Sequence, residues 1–387
     1  MDPLVSFRPD LVNAVDERID ADVCVYGGPS AGVIAAVHAA RMGKRAVILD
    51  PSDHLGGLSA SGLGATDFGR KAAIGGASRE VYKRIGAAYG TDEEWMLEPR
   101  VAESVFKDLV REHAIRVQHR QYLDSVACDG ARIVAVTMLG GLVVRARMFI
   151  DATYEGELMA KAGVRYAVGR EANAQYGETL FQDHVDYQRG YHWFLANESR
   201  VPARIRDHYA QWGLAGDEFP DTGGWPHQLY VREARRLVAD YVVTERDCRA
   251  ERRAEDPIAL GSYTMDSHNC RRFVRDGRVL NEGDVQVPPT EPYGVSYRAI
   301  IPARGQCANL LVPVCCSCSH IAYGSLRMEP VFMALAQSAA TAACQAIDAG
   351  VSVQDLDYAP LRERLLADGQ VLEWEGKARK SGGSSLP

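Results

Sequence analysis

Near the amino terminus, a strand, a tight turn, a helix and a second strand constrain this chain more than anything else in it. Residues 22–50 read DVCVYGGPSAGVIAAVHAARMGKRAVILD. Residues 23–26 form a short apolar run of the kind that makes a buried strand, and Gly27-Gly28-Pro29-Ser30-Ala31-Gly32 follows as a small-residue turn. Residues 33–42, rich in alanine, read as helix, and residues 46–49 as a second strand closed by Asp50. That order lays a dinucleotide pyrophosphate on a helix N-terminus, with a carboxylate about 20 residues further on to receive ribose hydroxyls. Glycine lets the backbone approach a phosphate with no Cβ in the way. In the G-x-G-x-x-G frame Gly27 and Gly32 hold the outer places, but Pro29 holds the middle one. It offers no N–H, although its fixed φ suits the first turn of a helix.

A second run of small residues, 54–67, carries His54, Gly56, Gly57, Leu58 and Ser61. So many glycines forbid a stable helix, each costing about 1 kcal/mol there. A backbone cradle over the first turn is the sharper reading, a flexible loop the plainer one. Residues 78–89 and 99–113 have helical apolar spacing. Residues 115–119, 122–128, 132–139 and 142–150 read as strands, with Asp129-Gly130 and Gly140-Gly141 as hairpin turns. The last of these delivers Asp151 at a second strand end.

Beyond residue 164 the chain gains Tyr, Trp, Arg and His and loses long apolar runs. Residues 184–193, 200–212 and 216–226 read as a cap packed on the first domain, and 229–246 as an arginine-rich helix with Arg235 and Arg236 on its solvated face. Residues 309–313 read as a strand re-entering the first domain, 328–349 as a long small-residue helix and 358–368 as a final one. The expected layout is therefore a dinucleotide- or flavin-binding type of domain over 1–163 and 301–372, a substrate or cap domain over 164–300, and a disordered tail over 373–387.

With 387 residues, 47% hydrophobic and 25% charged, the chain is long enough for two domains of ordinary globular composition. A net charge of −7 argues against nucleic acid as the main partner. No membrane span is expected, and the first 20 residues lack the order of a secretory signal. Nine cysteines, an odd number, fit reduced thiols and a cytoplasmic enzyme.

The segments VYGGPSAGVIAA, DPSDHLGGLSASGLGATD, FIDATYEGELMAKAG, YVREARRLVADYV, GSYTMDSHNCRRFV and NLLVPVCCSCSHIAYGSLRMEPVFMALAQSAATAA together resemble the FAD-dependent oxidoreductase family, distantly similar to fumarate reductase flavoproteins. The resemblance covers residues 22–372. It implies an α/β fold with a Rossmann-like, glutathione-reductase-type FAD-binding domain and a smaller, trimmed α+β substrate or cap domain. It further implies FAD at Gly27, Gly28, Pro29, Ser30 and Gly32 for the pyrophosphate, and Asp50 with Pro51 for the adenosine ribose. His54, Gly56, Gly57, Leu58 and Ser61 would line the path to the flavin, Leu123 would meet the adenine and Asp151 the ribityl or pyrophosphate region. The helix starting at Met328 and Glu329 would aim its N-terminus at the flavin. Two features depart from the family pattern: the segment 181–229 is short, and cysteines precede Ser319-His320.

His320 and His268 are rival candidates for the catalytic base, the latter beside Asp266. Arg232, Arg298 and Arg327 are candidates to hold a carboxylate or other oxyanion, with Tyr293, Tyr297 and Tyr323 as donors or pocket wall. Cys315, Cys316 and Cys318 admit a redox dithiol, a metal site or plain buried thiols. The expected activity is removal of hydride from an alcohol- or amine-type C–H bond of a small polar molecule. The alternatives are a non-redox isomerase or lyase using flavin, and a degenerate flavin-binding protein. Covalent attachment at His54 stays open.

Overall fold

The computed structural model describes residues 11–12, 14–169, 178–269 and 271–374. Its centre is a seven-stranded sheet in the order β3-β2-β1-β6-β5-β4, with a seventh strand also on β6. The strands are β1 (Arg18–Tyr26), β2 (Ala46–Asp50), β3 (Arg116–His119), β4 (Leu123–Asp129), β5 (Arg132–Met138) and β6 (Val143–Asp151). β1 lies parallel to β2 and β6, and β2 parallel to β3, whereas β4, β5 and β6 form an antiparallel meander. Register sets Tyr26 beside Leu49 and Asp151, so the carboxyl ends of three strands share one sheet edge. Ligands bind in the crevice outside such an edge. Both hairpin turns expected from Gly130 and Gly141 are present, each glycine at positive φ.

Four two-stranded ribbons follow. They pair β7 (Tyr166–Val168) with β8 (Arg235–Leu237), β9 (Pro257–Gly261) with β14 (Tyr293–Ser296), β10 (Met265–Ser267) with β13 (Val285–Val287), and β11 (Arg271–Arg275) with β12 (Arg278–Glu282). β15 (Leu310–Leu311) then returns to the main sheet parallel to β6, as expected. The helices are α1 (Ser30–Arg41), α2 (Gly76–Ala88), α3 (Pro99–Glu112), α4 (Glu157–Lys161), α5 (Glu178–Asn197), α6 (Ala203–Tyr209), α7 (Glu245–Cys248), α8 (His320–Leu326), α9 (Glu329–Ala349) and α10 (Tyr358–Ala367).

α3 shows how local sequence does this. Pro99 starts it, and Ala102, Val105, Phe106 and Leu109 at i, i+3, i+4 and i+7 are its buried face. α1 and α9 have no such polarity: both are buried nearly all round, because alanines on each allow the two to pack closely under the sheet edge. α9 ends at Gly350 in the left-handed region. By length and composition α9 could cross a membrane, which corrects the expectation that no such stretch exists. It is nevertheless 94% buried within the fold.

The helix expected over 229–246 does not form. Here tertiary pairing overrides helical spacing. Residues 235–237 pair with β7, the Leu237 amide donates to the Cys315 carbonyl, and Val243 and Ser317–Ser319 exchange backbone bonds. Arg236 is consequently not on a solvated face but buried, ion-paired to Glu233 and donating through Nε to the Cys318 carbonyl. In the 217–228 segment Asp217 pairs with Arg100 and His227 meets Ser61, whereas Tyr187, Tyr191, Trp193 and Trp212 of the α5–α6 region are exposed. The expected disordered tail lies, from residue 375 on, outside the described residues.

Candidate functional site

The β1–α1 turn leaves a helix N-terminus open at the sheet edge. Gly27 sits at φ +100°, and Pro29 occupies the N-cap of α1 without any capping side chain or acidic residue in the first turn. The first amides of α1 are therefore left to an external acceptor. A Cβ on Gly32 would come 2.1 Å from the Gly27 carbonyl oxygen, and one on Gly28 2.7 Å from Asp50 Oδ2. These two glycines are required by close packing of helix on strand and of turn on carboxylate. Pro29 lies against Gly56 and removes one donor from the set.

Asp50 is buried at the end of β2, accepts from the Ser52 hydroxyl at 2.9 Å, and has its pKa raised to about 6. Burial is the main cause, opposed by Ser52. Pro51 follows it half-buried. Gly56 donates to the Gly28 carbonyl, which folds the 54–61 loop onto the first turn. His54 Nδ1 lies 3.0 Å from Glu103 of α3, and its ring stacks on His227 at 3.6 Å between centroids. Ser61 Oγ is 2.7 Å from His227 Nε2. Burial would raise the Glu103 carboxyl, but His54 and Lys107 hold it down to about 2. Desolvation and the facing His54 lower His227 to about 4.

Glu329 ties the cradle together. Fully buried at the start of α9, it accepts from the Ser30 hydroxyl of the first turn and from the Tyr154 hydroxyl at 2.7 Å, with Ser59 Oγ at 3.5 Å. Tyr154 in turn accepts from the Leu58 amide. Burial raises the Glu329 carboxyl, three hydroxyls opposing it. Met328 is the N-cap of α9, and Pro330 removes a donor from that helix start.

Two expected cofactor residues are otherwise committed. The Leu123 amide donates to the Tyr26 hydroxyl, so that donor does not face an adenine. Asp151 accepts from Thr153 and from the Met159 amide, bracing the β6–α4 turn from a fully buried position. Among the expected catalytic residues, Tyr297 belongs to the core, its hydroxyl donating to the Val353 carbonyl. Tyr293 and Tyr323 are likewise buried and bonded, to Ser325 and to the Val314 carbonyl. Arg298 is clamped by both oxygens of Asp256, at 3.0 and 3.2 Å. None of these four side chains is hydrogen-bonded to the polar group at the start of α9.

The group that does gather there comprises Tyr230, Arg232, Asp266, His268 and Arg327. Arg232 Nη1 and Asp266 Oδ2 both approach His268 Nε2, at 2.8 and 3.0 Å. Arg327, immediately before the α9 N-cap, donates to the Asp266 carbonyl at 2.8 Å. His320 is held at both ring nitrogens, Nδ1 2.7 Å from Glu233 and Nε2 3.1 Å from Ser267 Oγ. Sequence reading missed Glu233, Ser267, Tyr154, Tyr230 and His227. Only spatial neighbours distinguish them from ordinary polar residues.

The cysteines at 315, 316 and 318 are buried free thiols. Cys315 donates to the Tyr154 carbonyl and Cys318 to the Cys316 carbonyl, and burial raises both thiols far above the ordinary range. They act as small packing residues. Among the described residues no cluster of potential metal ligands occurs.

The sequence profile of the family described as FAD dependent oxidoreductase matches residues 22–191 and 180–365. The chain belongs to that family, and FAD is its cofactor. The residues at the sheet edge fit it: uncapped amides at Ser30, a cradle closed to any larger side chain at Gly28 and Gly32, and a buried carboxylate at Asp50. A search of curated proteins finds no match. Solved structures are similar over little more than a third of the chain. L-proline dehydrogenase from P. horikoshii is 13% identical, covering 39% of this chain and 58% of that one at a TM-score of 0.32. Anhydrotetracycline hydroxylase from Streptomyces rimosus is 14% identical (39% and 35%, TM-score 0.31), and a flavin-containing monooxygenase from Stenotrophomonas maltophilia is 19% identical (34% and 38%, TM-score 0.26). The chain thus spans between about a third and three-fifths of these proteins' lengths.

Proposed function

We propose that the protein oxidises a C–H bond next to a hydroxyl or amine of a small polar molecule. FAD, when bound, supplies the acceptor for the hydride. The observation that carries this reading is the polar group of Arg232, Asp266, His268 and Arg327 gathered where α9 begins, beside the loops that fit the cofactor. His268 takes the substrate proton in this scheme. It is half exposed, and Asp266 at 3.0 Å orients the ring. His320 serves as a positioning residue, because Glu233 and Ser267 already hold its two nitrogens. The 217–228 segment, seated on Ser61 and His54, excludes water from one side of the crevice.

Anaerobic mixing of the yellow protein with a panel of polar alcohols and amines is the test. The expected outcome is bleaching of the visible flavin bands by at least one class. His268→Gln should slow it by about 100-fold or more while leaving FAD content intact. A panel that leaves the bands unchanged overturns the reading.

A further inference from the structure

Several part-buried arginines of this fold find a carboxylate: Arg298 has Asp256, Arg252 has Asp247 and Arg236 has Glu233. Arg232 and Arg327 are different. Among the described residues neither has a carboxylate within salt-bridge distance. The nearby acids are engaged elsewhere: Asp266 Oδ2 with His268, Asp67 with the Tyr263 hydroxyl, and Glu329 with Ser30 and Tyr154. The two arginines nonetheless lie together. Arg327 Nη1 is 3.5 Å from the Arg232 carbonyl, and the Arg232 guanidinium lies 4.7 Å over the Tyr230 ring. Arg327 is partly buried, and burial followed by the charge of Arg232 makes it harder to protonate.

His268 adds an independent sign of an absent anion. Its single Nε2 faces both Arg232 and the Asp266 carboxylate. A ring N–H given to Asp266 leaves nothing for Arg232 to donate to. A lone pair given to Arg232 turns instead towards a carboxylate. One nitrogen cannot satisfy both. An anion that draws the Arg232 fork towards Arg327 resolves the conflict and frees His268 to pair with Asp266 alone.

Resting on the function proposed above, we infer that Arg232 and Arg327 form the seat for a carboxylate of the substrate, with the Tyr230 ring as its wall. A planar carboxylate suits two guanidinium forks, which bind it through parallel charge-assisted hydrogen bonds. Substrates of this enzyme are accordingly hydroxy or amino acids rather than neutral alcohols or amines.

The test uses the FAD-loaded protein and two readouts besides turnover, the visible flavin bands and the melting temperature. Acetate, succinate and benzoate are titrated beside acetamide, succinamide and benzamide. The expected result is a saturable effect of at least one acid, at least about tenfold tighter than its amide and weakened by added salt. Arg232→Gln and Arg327→Gln each weaken it by about tenfold or more, and Arg298→Gln leaves it unchanged. Acids and amides that act alike, or no effect of either, overturn the seat. So do variants that lose FAD yet, once reloaded, bind the acid as before, since the arginines then serve the cofactor. Should Arg327→Gln fail to fold, the exposed Arg232 variant and the wild-type ratio of acid to amide still decide. A protein that takes up no FAD overturns the reading beneath; a yellow protein indifferent to acids overturns the seat alone.

Discussion

Asp50 and Gly32 show how single residues set the chemistry of the crevice. Asp50 is ionised with difficulty because its burial outweighs the help of Ser52, so its pKa stands near 6 against an ordinary 3.8. A folded pKa above the unfolded one means that the folded state binds more protons between those two values. The stabilisation is fully present below pH 3.8 and is lost as the pH rises through about 6, by roughly 2–3 kcal/mol in all. Asp50→Asn should remove that component. Its melting temperature, measured from pH 4 to 7, should fall less steeply with pH than that of the wild type, and its FAD affinity should drop because the ribose loses a charged acceptor. Gly32→Ala is the steric counterpart. Its methyl would meet the Gly27 carbonyl at 2.1 Å, so α1 has to move. We expect a loss of about 1–3 kcal/mol in denaturant unfolding and a colourless protein.

Among the elements, those with a strong local period were legible in sequence. α2, α3, α9, α10 and the strands of the main sheet other than β1 lie within one or two residues of their expected bounds, because core-facing spacing and turn glycines decide them; β1 begins at Arg18, five residues before the apolar run at 23–26. The segment 229–246 was not legible. Its apolar residues follow a helical spacing, yet their partners are backbone groups at 315–319, some 80 residues away. The candidate site divides on the same line. The phosphate turn and its acid form one contiguous motif, whereas the Glu233–His320–Ser267 set joins three distant segments and has no local signature. The histidine stack belongs to this scale too, since His54 and His227 fasten two loops. His227→Ala should leave the core intact and raise proteolysis at the glycines around residue 223, seen as earlier cleavage in a time course.

At the scale of the whole molecule, Glu329 joins parts of the chain that are far apart in sequence: the first turn at Ser30, the loop at Ser59 and the β6–α4 turn at Tyr154. α9 packs on α1 through a continuous face of small side chains, so the dinucleotide half and the carboxyl-terminal half share one core. This arrangement sets an order of events during synthesis. A ribosome that has released only the first 300 residues has already made every phosphate-facing glycine, yet the wall behind Ser30 is still missing. Flavin capture should therefore be a late step, completed after the last long helix has left the exit tunnel. Chains stalled before residue 328 should emerge colourless in the presence of FAD, while chains stalled beyond residue 372 with a linker spanning the tunnel should acquire flavin on the ribosome.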